Sequence, residues 1–167
     1  MNTSSRLGVS VLVPMMLMLW GCAPSVRMTV EQRDGAGNLV TSFVKTNSDS
    51  GPTKVIVSNS HQIRLTAEAE HKDGLQKLSM AVSGHCGEDG TVQNIGFGFP
   101  ASGNAIPSNT TPTRFSFSEQ ISIAGQCDAG SLDLSVTATA TSAPTTGILG
   151  GGGPATSWTQ PAQFVNK

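Results

Sequence analysis

Apolar and polar residues alternate with a period of two along much of the chain. The alternation is clearest in Leu132–Thr141, where leucine, valine and alanine occupy every second position and serine, threonine and aspartate occupy the others. Ile63–Glu70, Leu78–Ser83 and Arg114–Ile123 repeat it. Because successive side chains of a strand point to opposite faces, this period predicts strands with one buried face.

Weaker stretches of the same kind complete the set of predicted strands. They are Val26–Arg33, Leu39–Lys45, Lys54–Val57, Val92–Phe99 and Trp158–Val165. The turn-forming cluster Asp34–Asn38 predicts a hairpin between the first two. Pro161 predicts that the last strand is short and is an edge or an irregular strand. Roughly seven to nine strands without a convincing helix after the N-terminus predict an all-β fold, a single antiparallel β-sandwich over residues 26–167.

Two segments of this domain are predicted loops. Residues 100–112 contain three prolines together with glycine, serine and asparagine. Residues 142–156 are rich in proline, threonine and glycine, and include the run Gly150–Gly153. Such a segment cannot contribute to a core, and we expect a flexible loop.

The first residues have the pattern of an export signal. Arg6 precedes the apolar run Leu7–Trp20, which is interrupted by Pro14. A membrane-spanning helix needs roughly 20 apolar residues, and this run is shorter. A positive start, a short apolar stretch and a small residue before the cut are typical of a signal peptide, here residues 1–21.

The end of this run resembles the lipobox of bacterial lipoproteins. Leu19-Trp20-Gly21-Cys22 matches it at Leu19, Gly21 and Cys22, whereas Trp20 replaces the usual small residue. The resemblance implies cleavage between Gly21 and Cys22, with diacylglyceryl and amide-linked acyl (palmitate) chains on Cys22 and a tether over residues 22–25. Ala23, where proteins retained at the inner membrane often have aspartate, implies the outer membrane if the organism has one. An ordinary secretory signal or an uncleaved anchor is the alternative.

The cysteine count agrees with export. If Cys22 is lipidated, Cys86 and Cys127 remain as a pair in an oxidising compartment, where a disulfide is the expected state. Closing that loop of about 40 residues would stabilise the fold by roughly 4 kcal/mol in the chain-entropy model. A redox-active or metal-binding thiol pair is the alternative, although the chain has no Cys-x-x-Cys.

Parts of the predicted sandwich resemble bacterial immunoglobulin-like and cadherin-like modules. The residues are the strand Ile63–Ala69, the turn Asp73-Gly74-Leu75 and the strand end Val82-Ser83-Gly84, and Leu132–Thr141 is similar to the penultimate strand of such modules. The resemblance implies an immunoglobulin-like sandwich. Cadherin-like calcium turns carry aspartate two residues before Asp-Gly, where this chain has His71, so calcium is not expected at that turn.

Composition and charge exclude several classes of function. The net charge is −1, only 13% of residues are charged, and no basic run occurs, so we expect no nucleic-acid partner. The sequence lacks Gly-x-Ser-x-Gly, His-Glu-x-x-His, Walker A and Rossmann glycine patterns. We therefore predict no catalytic residues and no cofactor, and an enzyme is the least favoured hypothesis.

Metal and glycan sites have weak candidates. We expect His61 and His71 to be surface residues. His85 lies beside Cys86, Glu88 and Asp89. A disulfide at Cys86 would prevent this cluster from binding a metal ion through the cysteine sulfur. The turn carboxylates that could gather to bind calcium are Asp73, Glu88, Asp89, Asp128 and Asp133. Trp158 is either a sugar-stacking platform or a side chain packed on the sandwich, and Phe97, Phe99, Phe115 and Phe117 have core parity. No metal site is predicted.

Two functions remain in competition. The first is a lipid-anchored envelope protein that acts as a non-catalytic structural or protein-interaction module and docks to an envelope protein. Its outer strand faces, for example Thr137, Thr139 and Thr141, are either solvated or a docking surface. The second is a periplasmic or surface binding protein for a small ligand, calcium or a glycan, using the loops 100–112 and 142–156. In both, Cys22 places the protein on the membrane.

Overall fold

The alternating sequence forms nine strands and no helix in the part of the chain that the computed structural model describes, residues 23–49, 55–58, 60–87, 94–122, 129–141 and 153–165. The strands are β1 (Ser25–Arg33), β2 (Leu39–Thr46), β3 (Val55–Ser58), β4 (Gln62–Glu70), β5 (Leu75–Cys86), β6 (Asn94–Phe99), β7 (Arg114–Ile121), β8 (Gly130–Ala140) and β9 (Ala155–Val165). The described part of the chain has no helix long and apolar enough to span a membrane.

Two packed sheets form a β-sandwich. The first has the order β2-β1-β4-β7 and the second the order β3-β9-β8-β5-β6. All pairs are antiparallel except β3 with β9, which is parallel. β4 and β7 lie in one sheet and β5, β8 and β9 in the other, as strands B and E and strands C, F and G do in immunoglobulin-like sandwiches. The predicted all-β sandwich is confirmed.

The core lies where the period of two places it. The inward positions of β1, β4, β5 and β8 are buried, and Leu65, Leu78 and Val136 have no exposed surface. Fully burying a side chain of this size contributes about 1.5–3 kcal/mol. Six aromatic side chains are partly buried and pack around this centre; they are Phe43, Phe97, Phe99, Phe115, Phe117 and Trp158.

Gly84 lies inside β5 and does not interrupt its register. It pairs with Leu132 on β8 and Ile95 on β6. Its inward side is filled by the backbone of β8, since an added Cβ would lie 2.7 Å from Leu132 Cδ2 and closer still to the carbonyl oxygen of Ser131. The alternation therefore continues to Cys86, which is 2% exposed.

β9 is longer and more central than expected. It begins at Ala155, within the predicted loop 142–156, and lies between β8 and β3. The expectation of a short strand is wrong, since β9 has eleven residues, and the expectation of an edge is wrong because β3 and β8 pair with it on its two sides. Pro161 pairs with Asp133 of β8, and the described pairing with β3 begins at Ala162.

The strand ends and the turns that join them lie at two opposite ends of the sandwich, which we call the N-terminal end and the hairpin end. Backbone hydrogen bonds tie together the N-terminal end, which comprises residues 23–25, 46–49, 70–75, 112–114, 140–141 and 154–156. The hairpin end carries the turn Asp34–Asn38, together with Gln62 and Cys86. In the turn, Asp34 Oδ1 accepts bonds from the N–H groups of Ala36 and Asn38, at 2.9 and 2.8 Å.

Candidate functional site

The chain is fixed to the sandwich almost from the first described residue. Pro24 is buried, and its carbonyl oxygen accepts a hydrogen bond from Thr156 Oγ1 at 2.7 Å. Val26 and Asn47 then exchange two bonds of 3.0 Å, one through the Asn47 side chain. β1 starts at Ser25, inside the predicted tether 22–25. Cys22, Gly21 and the predicted signal peptide lie outside the described residues.

A shallow groove lies at this end, on the outer side of the first sheet. It is lined by Ser25–Arg27, Thr46–Ser48 and Glu68–Glu70. Glu68 Oε1 lies 2.9 Å from Arg114 Nη2 and 4.0 Å from Arg27 Nη1. The hydrogen bond and the charge of Glu68 raise the pKa of the Arg114 guanidinium. The Glu68 carboxylate is thus already neutralised by the neighbouring arginines.

The edge strand β2 exposes apolar side chains, a feature that the sequence did not identify. β2 pairs with β1 along one side and forms the end of its sheet. Leu39, Val40 and Val44 keep 53%, 51% and 54% of their surface exposed, and they are the large exposed apolar residues of the described part of the chain. An open strand edge with apolar side chains is a template for pairing with another chain.

The inner face of the same sheet carries a charged residue on each edge strand. Lys45 of β2 pairs with Met28 and Glu119 of β7 pairs with Leu65, so both have inward parity, and both are half-buried. Inward-pointing charges on edge strands oppose unspecific edge-to-edge association. On β2, Lys45 confines the favourable edge to Leu39–Val44.

The outer face of the second sheet is flat and rich in hydroxyl groups. Ser135 Oγ lies 2.9 Å from Thr159 Oγ1 on the neighbouring strand, and Thr137 Oγ1 lies 3.3 Å from Ser157 Oγ. Thr137, Thr139 and Thr141 are half-buried rather than fully exposed. These cross-strand bonds satisfy the hydroxyl groups of Ser135, Thr137, Ser157 and Thr159 within the sheet.

The three histidines do not form a common site. His71 is 6% exposed, and the expectation of a surface residue is wrong there. In the β4–β5 turn its Nδ1 accepts a bond from the Asp73 N–H at 3.3 Å and its backbone oxygen accepts one from the Gly74 N–H at 3.1 Å. The backbone N–H of His71 donates to Thr113 O at 2.9 Å. His61 is half-buried and His85 is exposed on β5. Among the described residues, no group of histidine, cysteine and acidic side chains has metal-binding geometry.

Two of the five acidic candidates, Asp73 and Asp133, lie within the described residues. Asp73 lies at the N-terminal end, where a hydrogen bond from Lys72 Nζ lowers the pKa of its carboxyl group. Asp133 lies on β8 and pairs with Ser83 and Pro161. Glu88, Asp89 and Asp128 lie outside the described residues. The two that can be located therefore lie on different elements, one in a turn and one within a strand.

Cys86 ends β5 and is 2% exposed. Gly87 N–H donates to Ala129 O at 2.8 Å, which holds the end of β5 beside the start of β8. Cys127, the predicted partner, lies two residues before Ala129 in the sequence and outside the described residues. The pairing of Cys86 with Cys127 therefore stays a prediction.

Trp158 does not form an exposed platform. It is half-buried on β9, pairs with Val136 and packs against the core together with the phenylalanines. The sequence-based alternative of a packed side chain is confirmed. Stacking against a sugar requires an aromatic face that is exposed to solvent. The large exposed apolar residues of the described part of the chain are Leu39, Val40 and Val44, and none of them is aromatic.

Fold and surface together define an all-β sandwich with an apolar edge strand, β2, which pairs with one strand among those described, and with its first described residues fixed at one end. No protein-family model matches the sequence, and comparison with curated proteins finds no match.

Proposed function

We propose that this chain is a lipid-anchored envelope protein that acts as a non-catalytic interaction module. Its partner is an envelope protein that adds an extended segment, with apolar side chains at alternate positions, to the free edge of β2. The observation that carries this proposal is the exposure of Val40 and Val44 on an edge strand of eight residues.

The β2 edge suits strand addition better than the other described edges. β3 has only four residues. β7 presents Arg114, Ser116 and Gln120 outward, and β6 presents the two glycines Gly96 and Gly98. In strand addition the backbone bonds supply affinity and alternate side chains supply specificity. β2 combines a backbone edge that no described strand pairs with and apolar side chains on its outer face.

The anchor is the second part of the proposal. Cleavage between Gly21 and Cys22 and acylation of Cys22 would hold the protein on a bilayer, since two or more acyl chains anchor a protein stably. In the oxidising compartment outside the inner membrane, Cys86 would pair with Cys127. The location is then the cell envelope, at the outer membrane where one is present.

The test of the docking edge uses matched charge substitutions in the full chain, expressed in its native cells. Val44→Lys should abolish co-isolation of the partner, because a charge on the edge opposes strand pairing. Ala81→Lys, at an exposed strand position of the second sheet, is the control and should retain the partner. Equal co-isolation by both variants would refute the docking edge.

The test of the anchor is independent of the partner. The intact mass of the mature protein should correspond to a chain beginning at an acylated Cys22. Cys22→Ser should leave the protein unacylated, so its intact mass should lack the acyl groups. A mature chain that begins elsewhere, with Cys22 removed or unmodified, would contradict this part of the proposal.

A further inference from the structure

We infer that the N-terminal end of the sandwich lies against the lipid headgroups and that the hairpin end points away from the bilayer. This inference rests on the proposed acylation of Cys22. It goes further because it assigns a membrane-facing surface and a fixed orientation to the domain. The observation that supports it is that a single residue, Ala23, separates Cys22 from Pro24, which is hydrogen-bonded to the sandwich.

The available length of chain is very small. Pro24 is buried and bonded to Thr156, so Ala23 alone separates it from the acylated residue. Two residues span at most about 7 Å. The headgroup layer on each side of a bilayer is about 5–8 Å thick. The domain thus has no spacer that would carry it clear of the headgroups.

The strands then set the distance of the opposite end. β1 has nine residues and runs from Ser25 at the N-terminal end to Arg33 beside the hairpin turn. At about 3.3 Å per residue it covers about 30 Å. The turn Asp34–Asn38 therefore lies about 30 Å along β1 from Ser25 and the rest of the N-terminal end, to which Ser48 belongs.

The contact is imposed by the anchor and not by charge. Lys72, an exposed cation at this end, is paired with Asp73 at 2.8 Å. Arg114 is paired with Glu68 at 2.9 Å. Arg27 lies 4.0 Å from the same Glu68 carboxylate. Because these cations already have carboxylate partners, we expect the unacylated chain to show no affinity for anionic vesicles.

The experiment uses the acylated full chain in vesicles of phosphatidylethanolamine and phosphatidylglycerol. A photoreactive phenylalanine analogue replaces either Ser48 or Ala36, both of which are exposed. Irradiation should produce phospholipid adducts at position 48 and only the level of the unirradiated control at position 36. A Gly/Ser linker inserted between Ala23 and Pro24 is the matched control. Twelve such residues have a root-mean-square length of roughly 19 Å, so the adducts at position 48 should be lost.

Each contrary result identifies what has failed. Equal adducts at positions 48 and 36 would mean that the sandwich lies on its side. No adduct at position 48, with Cys22 acylated by mass, would mean that the domain stands clear of the bilayer. Either result overturns the inference and leaves the anchor intact. An unacylated chain overturns both the inference and the proposed anchor, and the mass of the protein reveals this before irradiation.

Discussion

Gly84 offers a severe test of the packing between the two central strands of the second sheet. Gly84→Ala adds one methyl group on the inward side of β5, directly opposite Leu132. That carbon would lie 2.7 Å from Leu132 Cδ2, 3.2 Å from Leu132 Cα and closest to the backbone oxygen of Ser131. The leucine side chain can move, but the backbone of β8 is held by β5 on one side and β9 on the other.

The expected cost follows from that geometry. Overpacking a core costs about 1–3 kcal/mol, and contact with a backbone held on both sides favours the upper end, about 3 kcal/mol. For a domain of this size such a loss lowers Tm by roughly 10 °C. Urea denaturation followed by circular dichroism, together with a thermal scan, measures both quantities.

Gly96→Ala is the matched control. Gly96 lies on β6, pairs with Ser83, and faces outward, where an added Cβ meets no described atom within 4 Å. Alanine restricts the unfolded chain more than glycine, so this variant should be neutral or more stable by up to about 1 kcal/mol. If Gly84→Ala and Gly96→Ala unfold alike, the close approach of β5 to β8 is wrong.

Substitutions at three further positions test other parts of the structure. Leu65→Ala, at a position with no exposed surface, should lower the free energy of unfolding by about 3 kcal/mol in urea titrations; a loss below 1 kcal/mol would contradict its place in the core. Thr156→Val removes the bond to the buried Pro24 carbonyl and should cost about 1 kcal/mol, whereas Thr156→Ser should retain the stability. Hydrogen bonds hold the pKa of Asp34 below its ordinary value, and the bond from the Asn38 side chain has the largest effect. This contribution to stability is present above the unfolded pKa and is lost as the pH falls through the folded pKa, so Asn38→Ala should raise the pKa of Asp34 in an NMR titration, and an unchanged value would refute the assignment.

The strands could be predicted from the sequence because burial on one face imposes a period of two. The turn Asp34–Asn38 and the strand Leu132–Thr141 were located to within a residue or two for this reason. The parallel pair β3–β9 could not be predicted, since it joins segments about a hundred residues apart and the alternation carries no information on partners.

The candidate site was less predictable than the fold. β2 has apolar residues of both parities, with Phe43 on one face and Val40 and Val44 on the other. The register with β1 decides which face is buried: Phe43 pairs with Val30 and turns inward. The burial of Gln32 could not be predicted either, because it depends on a contact with a distant strand. Its Oε1 accepts a hydrogen bond from the Ser58 N–H of β3 at 2.8 Å.

The most direct test of the proposed function is site-specific photocrosslinking of the acylated full chain in its native cells. A photoreactive residue at Val44 should capture one dominant envelope protein, and the same residue at Ser83, an exposed position of the second sheet, should not. The captured peptide should be an extended segment with apolar side chains at alternate positions. Absence of an adduct at Val44 from intact, membrane-bound protein, or the same adduct at both positions, would contradict docking through the β2 edge.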